Sequence, residues 1–544
     1  MKRSIGILLA LVMAAGCTRV GTGGGAGGRA NATTIPHTLR YATAEDLVGL
    51  NPLLNTQGTL QYMSSLVMAW LIKWDRNNRP LPELATVVPT KANGGISADG
   101  KTITYHLRKG VVWSDGAPFN ADDVVFTEKQ VLNPANNVVS TQGWDLITKL
   151  DEPDKYTVIF HLKKPYAPFL PTFFSSAGAN PCVLPKHILN GLPNINKAPY
   201  NSLPVGIGPF KYAEWQRGDH VTLVPNPRYF RGLPKLQKII FKLIPSRDTV
   251  FAELQSGELD LWYPVPGLYM SRFGELGSGV AKLVQPSYFY NHIDFNVQSP
   301  KLQELAVRQA LRYATDRRTM WQKVDHRSGV LQESPLAEAA PYHVPNIPFN
   351  EYDLAKANAL LDGAGWKRGP DGIRRKNGVE LVLDVATSTG SQDADEKIEI
   401  MRSSWKQIGV GMNVQHYLSS LLFAPYQDHG IIYSGKFDVV FFAWQLDPIG
   451  DMSILYACDQ IPPNGQNDSR WCNREATDAM YQARVLYSFE ERQPYEDKVI
   501  DLLVHDVPTI VMKVNDDNYI FNKDLKNFHP NQVSQFDDFM NVDI

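Results

Sequence analysis

The chain has 544 residues, 43% of them hydrophobic and 10% aromatic, with a net charge of −2. That is enough apolar material for more than one sizeable core, so two or three domains are expected. The near-neutral balance, without basic runs, excludes nucleic acid as the natural partner, because phosphate binding needs clustered lysine and arginine.

In chain order, the first stretch reads as a targeting segment. Lys2 and Arg3 precede an apolar run from Ile5 to Ala15 that ends in small residues and is too short to span a bilayer permanently. It closes on Ala14-Ala15-Gly16-Cys17, which resembles a bacterial lipoprotein cleavage box. Residues 1–16 are therefore expected to be a signal peptide and Cys17 the lipidated residue; an ordinary signal peptide with a chance cysteine is the alternative. Residues 17–35 include the run Gly21 to Gly28, a composition that cannot bury a core and suits a flexible tether. No later apolar run reaches transmembrane length. Besides Cys17, the cysteines are Cys182, Cys458 and Cys472. Export to an oxidising compartment favours a Cys458–Cys472 disulfide, clamping a segment rich in Pro, Gly, Asn and Asp and leaving Cys182 as a buried thiol.

Between Leu81 and Lys164 the pattern is that of a small α/β lobe. Thr102 to Leu107 and Tyr156 to Leu162 alternate as half-buried strands do, and their likeness to each other suggests paired strands with basic ends. His106 and His161 lie in these strands, but a zinc site would need two further ligands at workable spacing, so no metal is expected. Asn120 is placed to cap a helix with Asp123 three residues on, which assigns Asp122 and Asp123 to the helix dipole rather than to acid–base chemistry.

The stretch Leu107-Arg108-Lys109-Gly110-Val111-Val112-Trp113-Ser114-Asp115-Gly116-Ala117-Pro118-Phe119-Asn120-Ala121-Asp122-Asp123-Val124-Val125-Phe126 resembles the signature of the extracellular solute-binding proteins of family 5. That family includes the dipeptide-, oligopeptide- and nickel-binding components of ABC importers. The resemblance continues in Pro204-Val205-Gly206-Ile207-Gly208-Pro209-Phe210, similar to the family's Gly-x-Gly-Pro turn; a phosphate-loop reading fails for want of a third glycine or a following Lys-Ser/Thr. Leu254 to Asp260 looks like the family's helix ended by a glycine, here Gly257. Phe295-Asn296 followed by Ala306 to Arg317 is similar to the segment opening the second large lobe, with Val307, Ala310, Leu311 and Ala314 on one helical face. Tyr352 to Trp366 matches another family segment, with Asn350 read as its helix cap.

The resemblance implies an α/β, two-lobed periplasmic-binding-protein fold (type II, cluster C like) with an extra small α/β lobe. Carried over, lobe I is residues 36–80, 203–293 and 515–544, the small lobe II is 81–202, and lobe III is 294–514. Chain crossings are expected near His292 to Asn296 and Lys513 to Asn515, with hinge closure around a ligand as the mechanism.

Candidate ligand-binding residues centre on Phe437 to Pro448, an apolar run suited to a strand buried on both faces and ending in a carboxylate, Asp447. In peptide-binding members an aspartate just after a tryptophan in this segment pairs with the peptide amino terminus, and Trp444 and Asp447 match that pattern. Pro448 stands where peptide binders usually have tyrosine. Gln57 lies near an acidic position of peptide binders. The Tyr288–Asp294 stretch, with His292 and Asp294, and Lys513 complete the set. A lysine interrupting the apolar run Pro508 to Val514 needs solvent or an anionic partner, so Lys513 either faces a ligand carboxylate in the pocket or lies on a solvated strand face.

An enzyme is not expected, because the chain carries no Gly-x-Ser-x-Gly elbow, no His-Glu-x-x-His, no Cys-x-x-Cys and no phosphate loop. The resemblance and the residues together point to a monomeric, lipid-anchored binder without cofactor, at the periplasmic or outer face of the cytoplasmic membrane. It would deliver a di- or oligopeptide to an ABC permease complex. The alternatives are an oligosaccharide or a nickel or haem chelate on the same fold, a chaperone-like surface lipoprotein, or a hydrolase.

Overall fold

The computed structural model describes residues 31–55, 57–77, 79–139, 141, 143–177, 181–336, 347–424, 426–446, 448–536 and 539–544. The signal segment, Cys17 and most of the glycine tether lie outside the described residues, and so does Asp447.

One ten-stranded sheet organises the chain. Its strands are β1 (Thr38–Thr43), β2 (Phe210–Gln216), β3 (His220–Pro225), β4 (Lys238–Leu243), β5 (Leu261–Trp262), β6 (Val280–Phe295), β7 (Val382–Ser388), β8 (Gly411–Tyr417), β9 (Val439–Gln445) and β10 (Thr509–Asn522). Their spatial order is β8-β7-β9-β6-β10-β5-β1-β4-β3-β2. The long strands β6 and β10 run antiparallel through the middle and are shared by both halves. Their register shifts between Pro286 and Tyr290 and again between Asn291 and His292. Pro286 has no N–H to donate, so the ladder is weak where it breaks. Upstream of the break, β6 pairs only with the Asp516–Asn522 half of β10; downstream, Phe289–Phe295 also pairs with β9. His292 to Phe295 thus lie wholly beside β9.

A separate three-stranded sheet joins Thr102–His106, Ile147–Asp154 and Thr157–Leu162, with Thr102 opposite His161 and Tyr105 opposite Val158. The alternation anticipated there is present: Ile103, Tyr105, Val158, Phe160 and Leu162 are buried. The Nε2 of His161 sits 2.9 Å from Asp151, as an outer-face contact. Helix Ala121–Leu132 starts in a capping box, the Asn120 side chain accepting from Asp122 N at 2.8 Å while Asn120 N donates to Asp123.

The Gly206–Gly208 turn joins this lobe to the first one by backbone-to-backbone contact. Gly208 N donates to Val67 O at 2.8 Å, Ser114 N donates to Gly206 O at 2.9 Å, and a Cβ on either glycine would run into the end of helix Gly58–Val67. Gly257 ends helix Arg247–Ser256 in the left-handed conformation, at φ 76°. Helix Leu305–Tyr313 buries Val307, Ala310 and Leu311 against the sheet, with Ala314 buried just beyond its end. Helix Leu354–Gly363 is capped by Asp353, which accepts from Lys356 N at 2.8 Å, rather than by Asn350. Asn350 is held elsewhere, its N–H donating to Glu333 and its carbonyl accepting from Arg317.

One core runs through the first and small lobes; two others lie on opposite faces of the sheet in the second large lobe. Among the described residues no helix is long and apolar enough to cross a membrane.

Candidate functional site

Strand β9 begins as anticipated, with Val439, Val440 and Phe441 buried, but its far half is open. The reason is its neighbours. Strand β7 pairs with β9 only at Val439 and Val440, so from Phe441 onward β9 has β6 on one side and no strand on the other. Ala443 is exposed and Phe442 and Trp444 are half-buried.

Cross-strand register then selects one face. Trp444 lies opposite Tyr290, Phe442 opposite His292 and Val440 opposite Asp294, so these side chains project to the same side. They form the floor of a cleft walled by Phe423, Tyr433, Leu455 and Tyr456, with Gln466 and Asp468 at its edge. The rings interlock: Phe442 stands 4.3 Å from the His292 ring and 6.0 Å from Trp444. Tyr290 and Tyr456 share a hydroxyl contact at 3.2 Å. Burial, the largest cause, raises the pKa of both phenols well above the ordinary value, so they stay neutral donors.

Three ionisable groups meet at the bottom. His292 Nε2 is 3.2 Å from Asp294 Oδ2, and both residues are almost wholly buried. Asp468, also buried, adjoins Asp294; burial first, and the neighbouring Asp294 charge second, push its carboxyl well above the usual range. The loop carrying Asp468 is tied back by a disulfide between Cys458 and Cys472. Asn467 reinforces it, its amide donating to Ala457 O and Trp471 O at 3.0 and 2.8 Å. Cys182 is a buried free thiol, its pKa pushed up to about 12 by burial.

The structure therefore brings Trp444, His292 and Asp294 together. It does not bring Lys513 or Gln57 to them. Lys513 pairs across strands with Asn291, whose side chain projects to the face opposite His292. Its ammonium is committed there, 2.7 Å from Asp325 and 3.1 Å from Ser328 O, with Lys397 on the same Asp325 oxygen at 2.6 Å. Burial lowers the pKa of Lys513, partly offset by Asp325. The anionic partner its sequence setting demanded is thus Asp325. Gln57 precedes helix Gly58–Val67, and its amide is used up locally: Oε1 accepts from Val48 N and Asn55, and Nε2 donates to Asp46 O at 2.8 Å.

Asp468 is the site residue that sequence reasoning missed. The signal available was its place in a turn-rich segment between two cysteines expected to pair, which fixes such a segment against the fold.

The fold and the cleft define a two-lobed α/β binding protein, and comparison with known proteins places it further. The family model of bacterial extracellular solute-binding proteins, family 5 (middle), matches residues 80–464. The chain belongs to that family. It is similar to the oligopeptide-binding protein AppA of Bacillus subtilis, 27% identical over 495 residues that cover 88% of each chain. Among solved structures it is similar in fold to that of AppA from Bacillus subtilis in complex with a nonapeptide, with a TM-score of 0.82 at 23% identity, covering 93% of this chain and 98% of that one. It is likewise similar to NikZ from Campylobacter jejuni in complex with Ni(L-His), with a TM-score of 0.79 at 27% identity, covering 92% and 97%.

Proposed function

We propose that the chain is the solute-capturing component of an ABC importer, taking a di- or oligopeptide between two large lobes and delivering it to a membrane permease. The lobes are residues 36–80, 203–293 and 515–544 on one side and 294–514 on the other, with 81–202 as the small lobe. The observation that carries this reading is the aromatic cleft on β6 and β9, immediately beyond the register break of the strands shared by both lobes. A binding site at such a junction is one that hinge motion can cover. The oligopeptide-binding relative, similar over 88% of the chain, supports a peptide as the solute.

From the resemblance of Trp444 and Asp447 to the pattern of peptide-binding members of the family, Asp447 is assigned to the peptide α-amine. An amine carried into a dry cleft must be paired, since an unpaired buried charge is costly. Cys17 is assigned to the lipid anchor, which keeps a monomeric body in solution on the outer face of the membrane. A nickel chelate is the second reading, drawn from the similarity to the Campylobacter protein and from His292 at the cleft wall.

The test is calorimetric titration with free and N-acetylated peptides, using peptides identified by native mass spectrometry of the protein as purified. The free peptide is expected to bind wild type roughly 30-fold or more tighter than the acetylated one, and Asp447→Ala to lose that difference. Equal affinity of the two peptides for wild type refutes the amine anchor, and a co-purified sugar or chelate in place of a peptide refutes the peptide reading.

A further inference from the structure

The bottom of the cleft is built for a hydrogen-bond-donating cation. Among the described residues His292 Nδ1 has no hydrogen-bond partner, and Asp294 Oδ1 and Asp468 Oδ2 have none outside the contact between their two carboxyl groups. Their residues are only 1%, 2% and 5% exposed. A buried acceptor left unsatisfied is costly, and two of these belong to carboxyl groups side by side. Arg470 acts on Asp468 through its charge but does not bond these atoms. It turns its guanidinium to backbone, donating to Asp468 O at 2.9 Å and Tyr433 O at 3.0 Å. The other Asp468 oxygen accepts from Ser469 N, at 3.0 Å.

The walls specify the shape of the guest. Phe442, His292 and Trp444 offer ring faces and edges, while Leu455 and Ile432 supply aliphatic surface. A planar guanidinium on an apolar stem fits this combination: it donates in a fork to carboxylates and stacks on aromatic rings.

We propose that this cleft is a specificity subsite for a basic side chain of the ligand, arginine above all, whose guanidinium donates to Asp294 and Asp468 while its stem lies against Phe442 and Trp444. The proposal rests on the reading of the chain as a peptide binder, and the experiment separates the two. Wild type is titrated calorimetrically with Ala-Ala-Ala, with tripeptides carrying arginine at each position in turn, with the corresponding citrulline peptides, and with agmatine, a guanidinium that is not a peptide. At least one arginine peptide is expected to bind about 30-fold or more tighter than its citrulline counterpart, which keeps the shape and loses the charge.

In Asp294→Asn and Asp468→Asn, isosteric changes checked by thermal melting, that preference is expected to shrink to within about threefold. Because the arginine–citrulline comparison is made on wild type, it holds whether or not the variants fold. Peptides that bind without an arginine preference, together with no agmatine binding, overturn the subsite and leave the peptide reading intact. Agmatine binding that Asp294→Asn abolishes, with no tripeptide binding, supports the subsite and overturns the peptide reading. No binding by any of the probes overturns both.

Discussion

Asp517 makes the stability of this protein depend on pH in a direction opposite to that of most carboxylates. It lies in β10 opposite Gln285, on the first-lobe side of the register break, and it is buried, with Oδ1 accepting from the Tyr263 hydroxyl at 3.0 Å. Burial raises its pKa from the ordinary 3.8 to about 7, against the pull of hydrogen bonds from Ser287, Tyr263 and Gln285. Between those two values the folded protein holds a proton that the unfolded chain has released. The stabilisation is therefore complete below pH 3.8 and lost as pH rises through about 7. At about 1.4 kcal/mol per pH unit, the full interval corresponds to about 4 kcal/mol. Asp517→Asn keeps the shape and removes the titration. Urea unfolding followed by tryptophan fluorescence at about pH 7.5 and about pH 5 cancels the carboxylates common to both proteins, and wild type is expected to gain about 2.5 kcal/mol on the variant as the pH is lowered. A wild type-minus-variant difference that does not change with pH would refute the reasoning, because it would mean that Asp517 is charged in both states throughout.

The buried Lys513–Asp325–Lys397 cluster predicts that Lys513→Met lowers stability by less than about 3 kcal/mol, since Asp325 keeps Lys397, whereas Asp325→Ala strands two ammonium groups and costs about 3 to 5 kcal/mol or more. Peptide affinity measured by calorimetry should stay within about twofold for Lys513→Met; a large loss would return Lys513 to the binding site. Reduction of the Cys458–Cys472 bond is expected to cost up to about 3 kcal/mol in urea unfolding and also to weaken ligand binding, because Gln466 and Asp468 hang on that loop. Unreduced, denatured protein lacking Cys17 should show a single reactive thiol, Cys182; three would contradict the bond. Cys17→Ser is expected to abolish palmitate labelling and release the protein from membranes, and a variant that still labels would remove Cys17 from the anchor.

What was legible beforehand follows local rules. The capping box at Asn120, the terminator at Gly257, the alternation in Thr102–His106 and Thr157–Leu162 and the apolar face of Leu305–Tyr313 depend on neighbours a few residues away. The Gly206–Gly208 turn was visible as a motif, but its cause, close approach to the end of helix Gly58–Val67, is a tertiary fact. Trp444, His292 and Asp294 could be nominated because strands beside a lobe crossing line a cleft. The surroundings of Lys513 were not legible, because irregular register in β10 turns it to the face where Asp325 and Lys397 wait, both distant in sequence. The local bonds of Gln57 were not legible either, because nothing in a glutamine announces that Asp46, Val48 and Asn55 will engage its amide. Asp468 stayed hidden in a segment whose composition reads only as turn.

The position of the Pro286–Tyr290 break has a kinetic consequence. Every side chain that lines the cleft, from Tyr290 to Asp468, lies on the same side of it. In the proposed hinge reading, an arriving ligand meets the cleft residues already assembled on one side of the break, and closure then sets the residence time of what has been captured.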